Sequence, residues 1–220
     1  MHGRRTAQLA LAALCATLAV SHSGCNKNTV VPATGSNTGQ PPSPKGVPIA
    51  SAPKALQGAV KQADAAFAVL KSTLGGRLKA AITAGGPVSA ITICQDEAAT
   101  LAREVEKESR MSLGRTSKRL RNPSNSPPWW AEDAVGAKDG VGADDVAATE
   151  LDSGGLVFDL GASVGVLRPI RLEAVCTTCH GRDLDPALTA ELARRYPSDA
   201  AKGFAEGDLR GYFWADVPKT

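Results

Sequence analysis

The sequence predicts an α+β domain built on an antiparallel sheet, and three features of the chain support this prediction. Apolar residues recur at steps of three and four in the first part of the chain, as they do in amphipathic helices. Runs with the composition of strands follow in the last part and are separated by turn residues. Strands and helices do not alternate as they would around a parallel sheet.

Two helices are predicted first. The first starts at Lys54, and its apolar face consists of Leu56, Val60, Ala63, Phe67, Leu70, Leu74 and Leu78. The run Gly85-Gly86-Pro87 is expected to stop this helix. The second helix covers VSAITICQDEAATLAREVEKES, and Cys94 lies on its inward face in line with Ala90, Ala98, Leu101 and Val105.

Strands are predicted after these helices. Alternation in RTSKRLR indicates a short strand that carries Arg115, Arg119 and Arg121 on one face and runs into a Pro-rich turn. The runs GLVFDLG and SVGVLRPIRLEAV indicate a hairpin, and DLRGYFWADV indicates a final strand. A short helix is expected from Ala187 to Tyr196, whereas the Gly/Ala/Asp-rich segment 134–155 should be mostly loop.

The first 53 residues are predicted to lie outside the domain. Residues 1–24 indicate a signal peptide, because the apolar run Ala7–Val20 is shorter than the roughly 20 residues of a spanning helix. Cys25 is a candidate lipid anchor of the bacterial lipoprotein type, or else an incidental thiol beside the cleavage site. Residues 25–53 are Pro-rich and predict a disordered linker, so the domain should span residues 54–220. We therefore expect a lipid-anchored protein of the periplasm or cell envelope.

The charge balance excludes one class of partner. The chain has 25 Lys and Arg against 22 Asp and Glu, and loss of Arg4 and Arg5 with the signal would lower the first number to 23. A protein this close to neutrality has no electrostatic basis for binding nucleic acid or an anionic membrane surface. Contact with a membrane is expected only through Cys25.

The run AVCTTCHG, residues 174–181, is the strongest chemical signature. Two cysteines two residues apart and a histidine directly after them form the attachment signal for c-type haem. The thiols of Cys176 and Cys179 would bond to the haem vinyl groups, and His180 would bind the iron. A thioredoxin-like pair would need a βαβ context and a zinc site would need a second ligand pair, which leaves a plain disulfide as the alternative.

The residues alone leave the second axial ligand of the iron open. Once the signal is removed His180 is the one histidine left, so ligation by two histidines is excluded. The candidates are Met111, the inward-facing Cys94, a Lys or Tyr side chain, or an open position. Cys94 can equally be a small buried core residue, which is what most free cysteines are.

Four runs between Lys54 and Val217 resemble, in order, a family of single-haem c-type proteins with a PAS-like fold. They are ITICQDEAATLA, GRTSKRLRNPSNSPPWW, RPIRLEAVCTTCHG and YPSDAAKGFAEGDLRG. The cyanobacterial type member of that family binds haem iron through one histidine and one cysteine thiolate. The sequence departs from the family pattern at Ala131, where many members carry an acid, and in the loop 134–155.

This resemblance implies a PAS-like fold with long N-terminal helices and one covalently attached haem. It also implies that Cys94 is the distal iron ligand, His180 the proximal ligand, and Cys176 and Cys179 the attachment sites.

Three arginines are candidates for binding the haem propionates. Buried propionates need compensating charge, and guanidinium groups pair well with carboxylates. Arg115, Arg119 and Arg121 suit this role, and Arg210 is a further candidate. A solvated charged strand face is the alternative explanation for each of them.

A thiolate ligand favours ferric iron, so a His/Cys haem should have a low reduction potential. Both faces of the iron are then filled, and no enzymatic activity is expected. Loss of the thiolate on reduction would admit a diatomic gas, which predicts a haem-based redox or gas sensor. The alternative is a periplasmic electron-transfer cytochrome that keeps both ligands. Either role requires a separate signalling or redox partner protein.

Overall fold

The structure is a computed structural model that describes residues 43–136 and 154–219. The predicted signal peptide, Cys25, most of the predicted linker and most of the loop 134–155 lie outside the described residues.

Five strands form one antiparallel sheet in the order β1-β3-β4-β5-β2. The strands are β1 (Val47–Pro48), β2 (Ser112–Thr116), β3 (Leu156–Asp159), β4 (Ser163–Arg171) and β5 (Leu209–Pro218). The predicted hairpin is confirmed, because β3 and β4 pair antiparallel in the register Leu156↔Leu167 to Asp159↔Val164. The predicted final strand is confirmed as β5, which lies between β4 and β2.

The helical elements follow the predicted order. They are α1 (Lys54–Thr92), a π-helical turn (Ile93–Glu97), α2 (Ala98–Ser109), α3 (Glu132–Val135), α4 (Thr177–His180) and α5 (Pro186–Arg195). Short 3-10 helices cover Ile49–Ser51, Pro123–Asn125, Trp129–Ala131 and Ala174–Cys176. The predicted stop is a break inside α1, where Gly86 has φ 77° and ψ −179° and precedes Pro87, and the helix resumes immediately.

The main core lies between the long helix and one face of the sheet. The apolar stripe of α1, together with inward residues of α2, packs against Val157, Val164, Val166, Ala215 and Val217. Phe67 of α1 stacks on Phe213 of β5 with ring centroids 5.4 Å apart. The apolar face of α1, whose residues recur with the helical period, therefore packs on the apolar face of the strands, whose residues alternate along the chain.

A second, smaller core covers the opposite face of the sheet. Trp130 is buried there against Phe158 and over Gly165, where an added Cβ would lie 2.9 Å from the indole. The sheet is thus covered on both faces. The predicted α+β class with a long N-terminal helix and an antiparallel sheet is confirmed, and its arrangement is PAS-like.

Three boundaries differ from the predictions. Strand β4 ends at Arg171 and not at Val175, because a 3-10 helix begins at Ala174. Strand β2 ends at Thr116, so Arg119 and Arg121 lie in the following loop and not on a strand face with Arg115. The last pair between β2 and β5 is Thr116↔Tyr212. Because no strand pairing follows, nothing holds the backbone of the later residues in the extended conformation of a strand. Residues 47–51 belong to the fold, because β1 pairs with β3, although the sequence assigned them to the linker. Within the described ranges, no helix combines the length and the apolarity that crossing a membrane requires.

We expect Phe67→Ala to lower the free energy of unfolding by about 3–5 kcal/mol, because the ring is buried and its removal leaves a cavity. Val69, two residues further along and 47% exposed, provides the control. Val69→Ala should change stability by less than about 0.5 kcal/mol. Urea unfolding followed by circular dichroism measures both; equal losses would show that the α1–sheet interface is wrongly placed.

Candidate functional site

The Cys-x-x-Cys-His run forms a single helical turn directly after β4. The 3-10 helix Ala174–Cys176 leads into α4, and the hydroxyl of Thr177 donates to the Ala174 carbonyl at 2.7 Å. Helical spacing places Cys176, Cys179 and His180 on one side of this turn. Both cysteines are free thiols and half-buried. The turn therefore carries two thiols and one imidazole close together on one short segment.

One hydrogen bond sets the chemical state of His180. Its Nδ1 lies 2.7 Å from the Ala201 carbonyl oxygen. Because a carbonyl oxygen only accepts, Nδ1 carries the proton and Nε2 keeps its lone pair. Burial, with positive Arg121 and Arg210 nearby, lowers the pKa of His180 to about 3. The imidazole is therefore neutral at physiological pH, in the tautomer that leaves Nε2 free to bind a metal.

A buried ion pair holds the loop that accepts this hydrogen bond. Arg121 Nε donates to Asp199 Oδ2 at 3.2 Å, and the two side chains are 8% and 2% exposed. The Nη2 of Arg121 donates to the carbonyls of Cys179 at 2.6 Å and Ala201 at 3.2 Å. Asp199 Oδ1 in turn accepts from the Ala201 amide at 2.8 Å. Arg121 thus ties the His180 turn to the loop that orients the imidazole.

Cys94 lies on the π-helical turn between α1 and α2, a helix irregularity that is frequent at functional sites. Three residues before it, Ile91 packs in a cluster with Leu188, Leu192 and Tyr196. Cys179 packs against that same cluster. The fold therefore brings Cys94 and the Cys-x-x-Cys-His turn to the same region, although they are remote in sequence.

Electrostatics agree with this placement. Burial raises the pKa of the Cys179 thiol, and the neighbouring Cys94 raises it further. Burial also raises the pKa of the Cys94 thiol itself, against the opposing effect of Arg115, Arg121 and Arg210. Cys94 is partly exposed to a cleft of about 200 Å³ that Arg115 also lines.

A polar contact connects the Cys94 turn to α5. Arg195 Nη1 donates to Gln95 Oε1 at 2.6 Å, while its Nε donates to Glu191 Oε1 at 2.5 Å. Because α5 follows the Cys-x-x-Cys-His turn closely in the chain, this contact fixes the two sides of the site relative to each other.

The three predicted propionate-binding arginines have different environments. Arg115 is half-buried near Cys94, and burial lowers its pKa. Arg119 is exposed, donates from Nε to the Ala200 carbonyl at 3.1 Å and places its Cζ 3.9 Å from the Phe204 ring centroid. Arg121 is committed to Asp199 and two carbonyls. Their contact with a cofactor remains a prediction.

Met111, the other sulphur considered as an iron ligand, lies elsewhere. It is 6% exposed and packs in the main core with Leu113 and Val105, whereas Cys179 and Cys176 pack against two other clusters of buried residues. Met111 is therefore not placed with the Cys-x-x-Cys-His turn.

Three residues that support His180 were not predicted from the sequence. Sequence reasoning missed Asp199, Ala201 and Phe204, which support His180, because the Pro-Ser-Asp-Ala run reads only as a turn. The sequence around Asp199 does not indicate that its carboxylate pairs with Arg121, which lies 78 positions earlier.

Fold and site together define a class: a PAS-like α+β domain with a Cys-x-x-Cys-His turn and a third cysteine facing the same region. The Tll0287-like family model, described as Tll0287, matches residues 48–218. The chain therefore belongs to the Tll0287-like family.

A solved structure supports the fold. The crystal structure of the cyanobacterial heme-protein Tll0287 is similar with a TM-score of 0.50, over 77% of this chain and 98% of that one, at 21% sequence identity. A comparison with curated proteins gives no match.

We expect Asp199→Ala to lower the free energy of unfolding by about 3–5 kcal/mol, because Arg121 would remain buried without its anionic partner. The control is Glu173→Ala in the exposed Lys71–Glu173 pair close to the Cys-x-x-Cys-His turn, which should leave stability nearly unchanged. Chemical denaturation of both variants measures the difference. Equal, small effects would show that the Arg121 network does not hold the site.

Proposed function

We propose that this protein binds one haem c and acts as a redox or diatomic-gas sensor in the cell envelope. Cys176 and Cys179 would hold the group through thioether bonds, with His180 Nε2 as proximal and Cys94 Sγ as distal iron ligand. The heme-protein named in the matched crystal structure is consistent with this proposal. The observation that carries it is the hydrogen bond from His180 Nδ1 to the Ala201 carbonyl, which leaves the lone pair of Nε2 available to a metal beside two unpaired thiols.

The donor set fits a haem better than a bare metal ion. Within the described ranges, no three His, Cys, Asp or Glu side chains converge as a polydentate metal site. One imidazole nitrogen and one thiol approaching a common region from two elements are what axial ligation requires. Buried positive charge nearby, including an Arg210 Nε without a hydrogen-bond partner, suits an anionic cofactor. When bound, haem supplies an iron that exchanges one electron and binds small gases.

Cys94 supplies the two-state element of the proposed sensor. Burial raises the pKa of its thiol, so the sulphur carries a proton whenever it does not bind a metal. Ligation requires loss of that proton, and release from the iron restores it. In the metal-free protein burial thus favours the neutral thiol, against the opposing effect of the nearby arginines.

The proposed location follows from the first 25 residues. Export by residues 1–24 and lipid attachment at Cys25 would hold the domain at the envelope, on the linker that precedes β1. Metabolic labelling with a radioactive fatty acid would test this part: Cys25→Ser should abolish the label, and labelling that survives this substitution would refute anchoring at Cys25.

Haem attachment is tested by expression in a host with c-type maturation. The wild type should give a haem-staining band on a denaturing gel, and the double variant Cys176→Ser/Cys179→Ser should lose it completely, because both thioether bonds are gone. A wild-type chain without stain would overturn the haem proposal.

Low-temperature EPR of the ferric protein identifies the distal ligand. The wild type should show a low-spin signal with the narrow g-spread of thiolate ligation, and Cys94→Ser should abolish it. Met111→Leu removes the other candidate sulphur and should leave the signal unchanged. The reverse pattern would make Met111 the ligand.

Sensor and electron carrier differ on reduction. A sensor should lose Cys94 from the iron and bind carbon monoxide readily, with a shift of the Soret band. A carrier should keep both ligands and react little. Carbon monoxide titration of the dithionite-reduced wild type decides this, and an unreactive protein would favour the electron-transfer role.

A further inference from the structure

Four arginines surround the candidate site, and the environments of two of them are accounted for: Arg121 is paired with a buried carboxylate, and Arg119 is exposed to solvent. Arg121 donates to Asp199 and to two backbone carbonyls. Arg119 donates to the Ala200 carbonyl and stacks on Phe204. These two side chains have partners that account for their positions.

The other two arginines, Arg115 and Arg210, are less well satisfied. Arg210 donates from Nη1 to the Arg119 carbonyl at 3.1 Å, but its buried Nε has no hydrogen-bond partner. Among the described residues, the side chain of Arg115 makes no hydrogen bond or ion pair, although its backbone belongs to the β2–β5 ladder. Burial, with Arg121 and Arg115 nearby, lowers the pKa of Arg210 to about 10. Desolvated positive charge of this kind is costly unless an anion compensates it.

Their positions place the two cations near opposite ligands of the proposed haem. Arg115 lies on β2 and lines the cleft of about 200 Å³ that also reaches Cys94. Arg210 lies on β5, with its Cζ 5.6 Å from the Phe204 ring centroid. The Phe204 ring contacts His180 edge-on at a centroid distance of 6.4 Å. Both guanidinium groups therefore lie in the region where a group held by His180 and Cys94 would need compensation for its carboxylates.

We infer that Arg115 and Arg210 bind the propionate carboxylates of the haem, whereas Arg119 and Arg121 hold the protein scaffold. This inference rests on the proposed function. It separates the four arginines by burial and by partners. In the part of the chain that the structure describes, Arg115 has no side-chain partner and Arg210 has a buried Nε without one, whereas Arg121 is paired with Asp199 and Arg119 is exposed and bonded to Ala200. A guanidinium fork suits a carboxylate because it donates two parallel hydrogen bonds. A free anion such as inorganic phosphate shares this chemistry, so the test must distinguish the two sources.

The test is resonance Raman spectroscopy of the ferric holoprotein, in which the propionate bending band reports hydrogen bonding to the carboxylates. Arg115→Met and Arg210→Met should each shift this band, because each removes a donor. Arg119→Met is the matched control and should leave the band unchanged, since its partners are Ala200 and Phe204.

Lysine variants distinguish the loss of the hydrogen bonds to the propionates from the loss of the positive charge. They also replace the methionine variants if those do not attach haem. Arg115→Lys and Arg210→Lys keep the positive charge, so the reduction potential should stay near that of the wild type while the propionate band still shifts. In the methionine variants the potential should also fall, because a nearby positive charge favours the reduced iron.

Each outcome is decisive. A band that moves in the Arg115 and Arg210 variants but not in Arg119→Met supports the inference. An attached haem whose band is the same in all variants overturns it, and a Soret change on adding inorganic phosphate would then assign the arginines to a free anion. A wild-type chain without covalent haem refutes the proposed function instead, and haem staining recognises that case before any spectrum is recorded.

Discussion

The buried pair of Arg121 and Asp199 is the interaction on which the site depends. Arg121 comes from the loop after β2 and Asp199 from the loop after α5, and between them they bind Cys179 and Ala201 through backbone atoms. The Ala201 carbonyl oxygen in turn accepts the hydrogen bond that His180 Nδ1 donates. An ion pair in this position has a large desolvation cost, so its value is in geometry: it specifies one arrangement of the loop and one tautomer of the imidazole.

The second half of the site depends on helix irregularity. Gly86 breaks α1, and the π-helical turn after Thr92 carries Cys94, so two departures from regular helix lie within twelve residues of each other. Arg195 then binds Gln95 and Glu191 together. On this turn Cys94 lines a cleft together with Arg115, and the positive charges of Arg115, Arg121 and Arg210 act on its thiol.

Charge, burial and protonation act together in the proposed sensor. The same desolvation that lowers the pKa of His180, and so keeps Nε2 unprotonated, raises the pKa of Cys94 and favours its protonated form. If both residues bind the iron as proposed, the imidazole is already in the form that binds, whereas the thiol must lose a proton first. Arg115, Arg121 and Arg210 oppose the rise in the pKa of Cys94. Their positive charge therefore reduces the free-energy difference between thiol and thiolate.

The sequence by itself determined the fold class, the α1 stripe, the hairpin of β3 and β4 and the Cys-x-x-Cys-His turn. These depend on local periodicity and spacing, because residues that face the same way recur at 2.0 or 3.6 positions. Only the tertiary structure decided the end of β2 at Thr116, the inclusion of residues 47–51 and the different burial and partners of the arginines. Each depends on contacts between distant segments, as Arg121 and Asp199 illustrate, and no local pattern records which buried cation will meet which carboxylate.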